Sequence, residues 1–327
     1  MIIARAPLRI TLGGGGTDVL SYSKYHGGFC LAAAINQYVY VTLHRTFDRT
    51  LLLKYSSLER VSSVDEVKHP IIREAIRFHG LDVDPHLEIT SMADIPSGTG
   101  LGSSSSFTCA LLLALYAWKR QTISQMSLAD TACALEIGKL KEPIGKQDQH
   151  ISACGGLKAM TFRVDGVASV KDAGVASNVV DSLEEKLLLF FTGYSRSARE
   201  ILEVQQEETL KGRTAMLDNL HATKDVGIRS WIALQQGRLN DFADLMNDQY
   251  KLKLARSRDP YSGSIDEIYR SGLKNGALGG KLIGASGGGF LMFFAEDRDK
   301  LRAAMRARGL LEVPFHFDWS GTVLLTH

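Results

Sequence analysis

The stretch Pro96-Ser97-Gly98-Thr99-Gly100-Leu101-Gly102-Ser103-Ser104-Ser105-Ser106 decides the reading of this chain. Its glycines let the backbone approach a ligand closely and adopt positive φ. A strand-like run at residues 87–91 precedes it, and an apolar helical pattern over 104–118 follows. A glycine-serine loop that opens a helix points free N–H groups and the positive end of the helix dipole at an anion. The segment therefore reads as a phosphate cradle. Two more glycine-rich segments lie far from it. One is Ala6-Pro7-Leu8-Arg9-Ile10-Thr11-Leu12-Gly13-Gly14-Gly15-Gly16-Thr17-Asp18; the other is Lys281-Leu282-Ile283-Gly284-Ala285-Ser286-Gly287-Gly288-Gly289. The better-known nucleotide motifs are absent. Gly280-Lys281 is followed by Leu282 and makes no G-x-x-x-x-G-K-[ST], and Gly98 and Gly100 are followed by Ser103 where G-x-G-x-x-G needs glycine. The three segments together point to a kinase acting on a small molecule.

Composition agrees. The chain has 327 residues, 45% hydrophobic and 23% charged, enough for two modest domains with a core that needs no staples. A net charge of +2 gives no support to a nucleic-acid groove. Cys30, Cys109, Cys133 and Cys154 form no C-x-x-C pair and read as reduced thiols. The start, Met-Ile-Ile-Ala-Arg, lacks the apolar core of a signal peptide, and the longest apolar helix pattern is too short for a bilayer. These features predict a cytoplasmic protein with a small-molecule partner, no nucleic acid and no membrane; a homodimer is left open.

The pattern predicts strands near 2–10, 29–34, 38–45, 51–55 and 87–91, and helices over 70–79, 104–118 and 127–140, with Ser127-Leu128-Ala129-Asp130 resembling a capping box. Strands follow at 157–162 and 186–191, and a polar stretch at 163–185 carries a soft domain boundary. The second half reads as helices over 198–208, 214–236, 239–254 and 263–274, then strands near 277–284, 289–295 and 321–326, with a helix over 298–308. The architecture is α+β in two lobes, residues 1–175 and 176–327.

The three motifs resemble those of the GHMP small-molecule kinases. Pro96 to Ser105 matches the family's P-x-x-x-G-L-G-S-S-A pattern, with Ser105 in place of the common Ala, and Ser286 stands where the third motif commonly has Gly. Gly15-Gly16-Thr17-Asp18 departs from the galactokinase form. Together with Phe191-Thr192-Gly193-Tyr194-Ser195-Arg196-Ser197-Ala198 it looks like the branch that contains D-glycero-D-manno-heptose 7-phosphate kinases and fucokinase domains. The resemblance covers nearly the whole chain. It implies an N-terminal lobe similar to a ribosomal-protein domain with a left-handed βαβ crossover, a ferredoxin-like C-terminal lobe and an active site between them.

It also implies roles. Pro96, Gly98, Gly100, Leu101, Gly102, Ser103, Ser104 and Ser105 would hold the phosphates of ATP. Mg²⁺ would sit on Ser104, with Ser103 as the fallback, and on Glu136. Asp148, in Gly145-Lys146-Gln147-Asp148-Gln149, matches the family's catalytic aspartate and would accept the proton of an anomeric hydroxyl. Arg9 would sit near Asp148 and stabilise developing charge. Thr17, Asp18, Gly287 and Gly288 would contact the sugar. Arg196 and Arg199 are the first candidates for a phosphate on the acceptor, with Lys24 and His26 behind them. Residues 55–63 and 69–70 would form the adenine pocket. The implied reaction is ATP-dependent phosphorylation of heptose 7-phosphate to the 1,7-bisphosphate, a step of nucleotide-heptose and surface-polysaccharide synthesis. Two alternatives stand: an unphosphorylated acceptor such as L-fucose or an N-acetylhexosamine, and a non-catalytic module that senses sugar and ATP.

Overall fold

The small and β-branched residues near the N-terminus make two long antiparallel strands, β1 (Ile2–Gly13) and β2 (Gly28–His44), joined through the short helix α1 (Leu20–His26). The computed structural model describes residues 1–81, 86–193, 198–256, 262–284 and 289–326. The stretch predicted as two strands, 29–34 and 38–45, is one continuous strand. Asn36 and Gln37 break the apolar pattern of β2, yet they only bulge out between the Pro7–Tyr38 and Leu8–Ile35 pairs while the ladder carries on.

After β2 come β3 (Leu51–Lys54), β4 (Leu58–Val61), α2 (Pro70–Phe78), β5 (Leu87–Ala93) and α3 (Ser103–Trp118). Helix α4 (Gln125–Cys133) runs into a π-helical turn at Ala134–Lys139; α5 (Gln147–Cys154), β6 (Leu157–Phe162) and β7 (Ala168–Asp172) follow. Ser124, not Ser127, caps α4: its hydroxyl accepts the Ser127 N–H at 3.1 Å, while Asp130 turns to His150. The first sheet runs β4-β3-β5-β2-β1, and the far half of β2 pairs with β6, which carries β7 at its edge. Strands β3 and β5 are parallel, which requires the crossover that passes through α2. Helix α3, apolar nearly all round, packs on β1 and β2 and is buried along most of its length.

The second lobe consists of α6 (Ser177–Lys186), β8 (Leu187–Phe191), α7 (Ala198–Leu210), α8 (Thr214–Gln235), α9 (Leu239–Arg256), α10 (Ser262–Lys274), β9 (Ala277–Ile283), β10 (Phe290–Ala295), α11 (Arg298–Ala307) and β11 (Leu311–Glu312). Its antiparallel sheet has the order β11-β8-β10-β9. Counted within the lobe this is 4-1-3-2, with helices after the first and third strands, the ferredoxin-like arrangement. The polar stretch 163–185 is not a plain connection: it holds β7 and most of α6, which buries Val179, Val180 and Leu183. The last strand, β12 (Val323–Thr326), returns to the first sheet and pairs with β1. One apolar cluster joins Leu8, Leu31 and Leu111 of the first lobe to Leu189, Phe242 and Phe294 of the second. Among the described residues no helix is long and apolar enough to cross a membrane.

Candidate active site

All three glycine segments meet between the lobes. Gly100, at φ +88°, lies so close to Gly284 that a Cβ on Gly100 would come 2.9 Å from the Gly284 Cα, and a Cβ on Gly284 would come 2.4 Å from the Gly100 Cα. Contacts this tight at positive φ leave room for glycine alone. Gly289 abuts the Thr99 carbonyl in the same way, so the third motif braces the serine loop through Gly284 and Gly289. Gly13 and Gly14 make the equivalent approach to Gly227 of α8.

Beside this junction is a cavity of about 510 Å³, lined by the first and second motifs, the start of α5 and the C-terminal ends of α9 and β9. Its size suits a small ligand. Helix α3 opens into it. Gly102 is the N-cap at φ +80°, and no side chain caps the helix, so the first-turn N–H groups face the cavity unclaimed by a capping group.

Arg9 fixes the loop and Asp148 together. Its Nε and Nη2 donate to Asp148 Oδ1 and Oδ2, both at 2.7 Å, and its Nη1 donates to the Gly100 carbonyl at 2.6 Å. Each carboxylate oxygen keeps a lone pair free for another donor. A Cβ on Gly102 would lie 3.3 Å from Asp148 Oδ2, so the helix mouth and the carboxylate are neighbours.

Ser104 and Glu136 also meet. The Ser104 hydroxyl, on the cavity wall, donates to Glu136 Oε1 at 2.9 Å, and the Gln149 amide donates to Oε2 at 2.7 Å. Glu136 is fully buried, and burial raises its carboxyl above the ordinary carboxylate range. Gln149 Oε1 is buried with no donor among the described residues. Two hard oxygens and an orphaned acceptor beside them fit a hydrated Mg²⁺.

Asp18 lines the cavity with its carboxylate already engaged: it accepts from the Gly16 N–H at 3.1 Å, the Gln147 N–H at 3.1 Å and Gln147 Nε2 at 3.2 Å. Burial, and then Asp148 nearby, push its pKa up. Thr17, expected against the sugar, has no exposure. Its hydroxyl serves the Gly14 and Phe29 carbonyls and accepts the Phe29 N–H, so it shapes the loop from behind. Arg199 is on the cavity wall but paired with Glu142 at 3.2 Å and Glu203 at 2.9 Å. Lys24 and His26 lie on α1, away from the cavity lining. Gly287, Gly288 and Arg196 fall outside the described residues. His69, Pro70 and Ile71 do line the cavity, and Tyr55 packs edge-on against His69, with ring centroids 4.8 Å apart.

Sequence reasoning missed the cations of the second lobe. Lys253 donates its ammonium to the Leu282 and Gly284 carbonyls, and Lys281 donates to Gln249 Oε1. Burial pushes Lys253 well down and Lys281 down to about 7. Arg256, the last residue of α9, completes the set. Lys253 and Arg256 sit in one ordinary-looking helix with no local pattern to mark them, and Lys281 opens the third glycine segment but was given no role there. Gln147, next to Asp148, was equally silent.

Comparison with known proteins finds two matching family models and several similar proteins. The model of the GHMP kinases N terminal domain matches residues 68–156, and that of the GHMP kinases C terminal matches residues 232–309. The chain is 27% identical to the D-glycero-alpha-D-manno-heptose 7-phosphate kinase of Campylobacter jejuni, over 98% of this chain and 97% of that one. It is also 27% identical to the L-fucokinase/L-fucose-1-P guanylyltransferase of Bacteroides fragilis, over 95% of this chain and 36% of that protein. The crystal structure of a D-glycero-D-manno-heptose 1-phosphate kinase from Bacteroides thetaiotaomicron superposes with a TM-score of 0.79 at 26% identity, covering 100% of this chain and 99% of that one.

Proposed function

The chain belongs to the GHMP kinases, and on that premise we propose that it transfers the γ-phosphoryl group of ATP to the anomeric hydroxyl of D-glycero-D-manno-heptose 7-phosphate. The observation that carries the reading is the junction of the α3 mouth with Asp148, supported by end-to-end similarity to a heptose 7-phosphate kinase. The fucokinase similarity is weaker support, since the chain spans about a third of that protein's length.

The chemistry follows from the residues. Phosphoryl transfer needs charge neutralisation and in-line positioning more than covalent help. The free N–H groups of Ser103 to Ser105 receive the nucleotide phosphates. Ser104 and Glu136 would hold Mg²⁺, whose charge would offset that of the phosphates. Asp148 accepts the proton of the anomeric hydroxyl as that oxygen bonds to the γ-phosphorus and ADP departs. Arg9 holds Asp148 aimed at the acceptor and draws its other N–H to the loop. Asp18 and Gln147, bonded to each other beside Asp148, orient the sugar. His69, Pro70 and Tyr55 form the adenine side. The product is a heptose 1,7-bisphosphate, for nucleotide-heptose synthesis toward surface polysaccharide. An ATP-using enzyme with four free cysteines belongs in the cytoplasm in this reading.

The test is ADP release, by a coupled assay, over a panel of heptose 7-phosphate, free heptose, L-fucose, galactose and N-acetylhexosamines. Turnover should be greatest with heptose 7-phosphate, and phosphorus NMR should place the new phosphate on the anomeric carbon. Turnover of fucose or galactose with none of heptose 7-phosphate would contradict the proposal.

A further inference from the structure

We propose that Arg256, with Thr223 beside it, receives the phosphate that the acceptor sugar already carries, and so selects a phosphorylated sugar over its free form. The inference rests on the reading of the chain as a sugar-phosphate kinase.

The reason lies in what Arg256 is bonded to. Its Nη1 reaches Thr223 Oγ1 at 3.2 Å and Asn219 Oδ1 at 3.4 Å, and its Nη2 reaches the Gly15 carbonyl at 3.4 Å. All three acceptors are neutral and all three contacts are long. Among the described residues no carboxylate pairs with it. Asp18 is the acid whose charge it feels, but that carboxylate is spent on Gly16 and Gln147. A guanidinium set into a cavity wall without a counterion is costly unless a ligand brings one. Burial lowers Arg256 only to about 10, so it stays charged at neutral pH.

The other cations of the wall are committed. Arg199 is neutralised by two glutamates, Lys253 is held by two carbonyls and Lys281 by Gln249. Arg9 belongs to Asp148. Among the described residues of the wall, Arg256 is the one whose planar fork is held loosely enough to turn to a phosphate and grip it bidentately. Space is kept for it. Gly16, at φ +96°, carries no Cβ; one built there would stand 3.4 Å from Nη2. The first glycine loop lies between Arg256 and the segment that carries Asp148: the Gly15 carbonyl accepts from Arg256 Nη2 at 3.4 Å, a Cβ on Gly15 would stand 3.7 Å from Gln147 Nε2, and all of these residues line one cavity. In this proposal a sugar with its anomeric carbon at Asp148 extends its far end toward Arg256, which lines the same cavity.

A phosphate at Arg256 could come from the sugar or from ATP, and the test separates them. Calorimetry measures the affinities of heptose 7-phosphate, unphosphorylated heptose and ATP for the wild-type protein and for Arg256→Gln, Arg256→Lys and Thr223→Val. Wild type should bind the phosphorylated sugar about 100-fold more tightly than the free one. Arg256→Gln should erase that advantage while leaving the affinities for free heptose and ATP nearly unchanged. The Lys and Val variants should lose part of it, and they carry the test if the Gln variant does not fold. An advantage that survives in Arg256→Gln, or a loss that appears in ATP affinity, overturns the proposal. Failure of the underlying reading looks different: wild type would then show no preference for the phosphorylated sugar and no turnover of it.

Discussion

Glu136 shows how a single residue is held against its own solvation. Its carboxylate has no exposure and is kept in place by the Ser104 hydroxyl and the Gln149 amide. Burial raises its folded-state pKa above the unfolded value. A raised carboxyl favours the folded state at acid pH, and that contribution is lost as pH rises through the folded pKa. Glu136→Gln removes the titration and keeps both hydrogen bonds in reach. The variant free of nucleotide should melt a few degrees above wild type at pH 8, with the gap narrowing toward pH 5. Its turnover at limiting Mg²⁺ should collapse. Thermal melts across pH, with activity against Mg²⁺ concentration, check both halves. At this scale the family resemblance singled out Arg9, Ser104, Glu136 and Asp148, and the fold brings them together: Arg9 bonds Asp148, and Ser104 bonds Glu136. Arg256 and Lys253 were not legible, and Lys281 was quoted in its motif without a role. Arg256 meets Gly15 across more than two hundred residues of chain, and nothing near it in sequence marks that contact.

Among the elements, the decisive contact is loop on loop. The serine loop before α3 and Gly284, just past the end of β9, touch through Gly100, backbone against backbone. Gly284→Ala would put a methyl group 2.4 Å from the Gly100 Cα at a positive φ. It should lower stability by about 2 kcal/mol and weaken ATP binding about tenfold. Gly309→Ala is the control. It has φ +74° but nothing within 4 Å of an added Cβ, so it should cost only the backbone strain and leave ATP affinity alone. Denaturant titration and nucleotide binding on both variants decide the matter. Elements with a clear period were read from sequence: α2, α3, β6, β8 and α11 fall within a residue or two of expectation. Those set by pairing partners were not. β2 looked like two strands because Asn36 and Gln37 interrupt it, and β7 is an edge strand whose half-exposed residues resemble a linker.

In the whole molecule, two lobes close on one cavity and share one apolar cluster. The last strand returns to β1, tying the end of the chain to the sheet that holds Arg9. Such closure fits catalysis that works by placing two substrates and neutralising charge between them. The glycine segments announced this arrangement in sequence, since each is needed where backbones meet. The depth of the acceptor end was hidden, because it is walled by α7, α8 and α9, helices whose polar residues read as solvated faces. The central claim is that the α3 mouth holds ATP while Asp148 activates the sugar beside it. Turnover and ATP affinity of Asp148→Asn with heptose 7-phosphate test it most directly. The account expects kcat to fall by about 100-fold or more with ATP affinity little changed; turnover equal to wild type would contradict it.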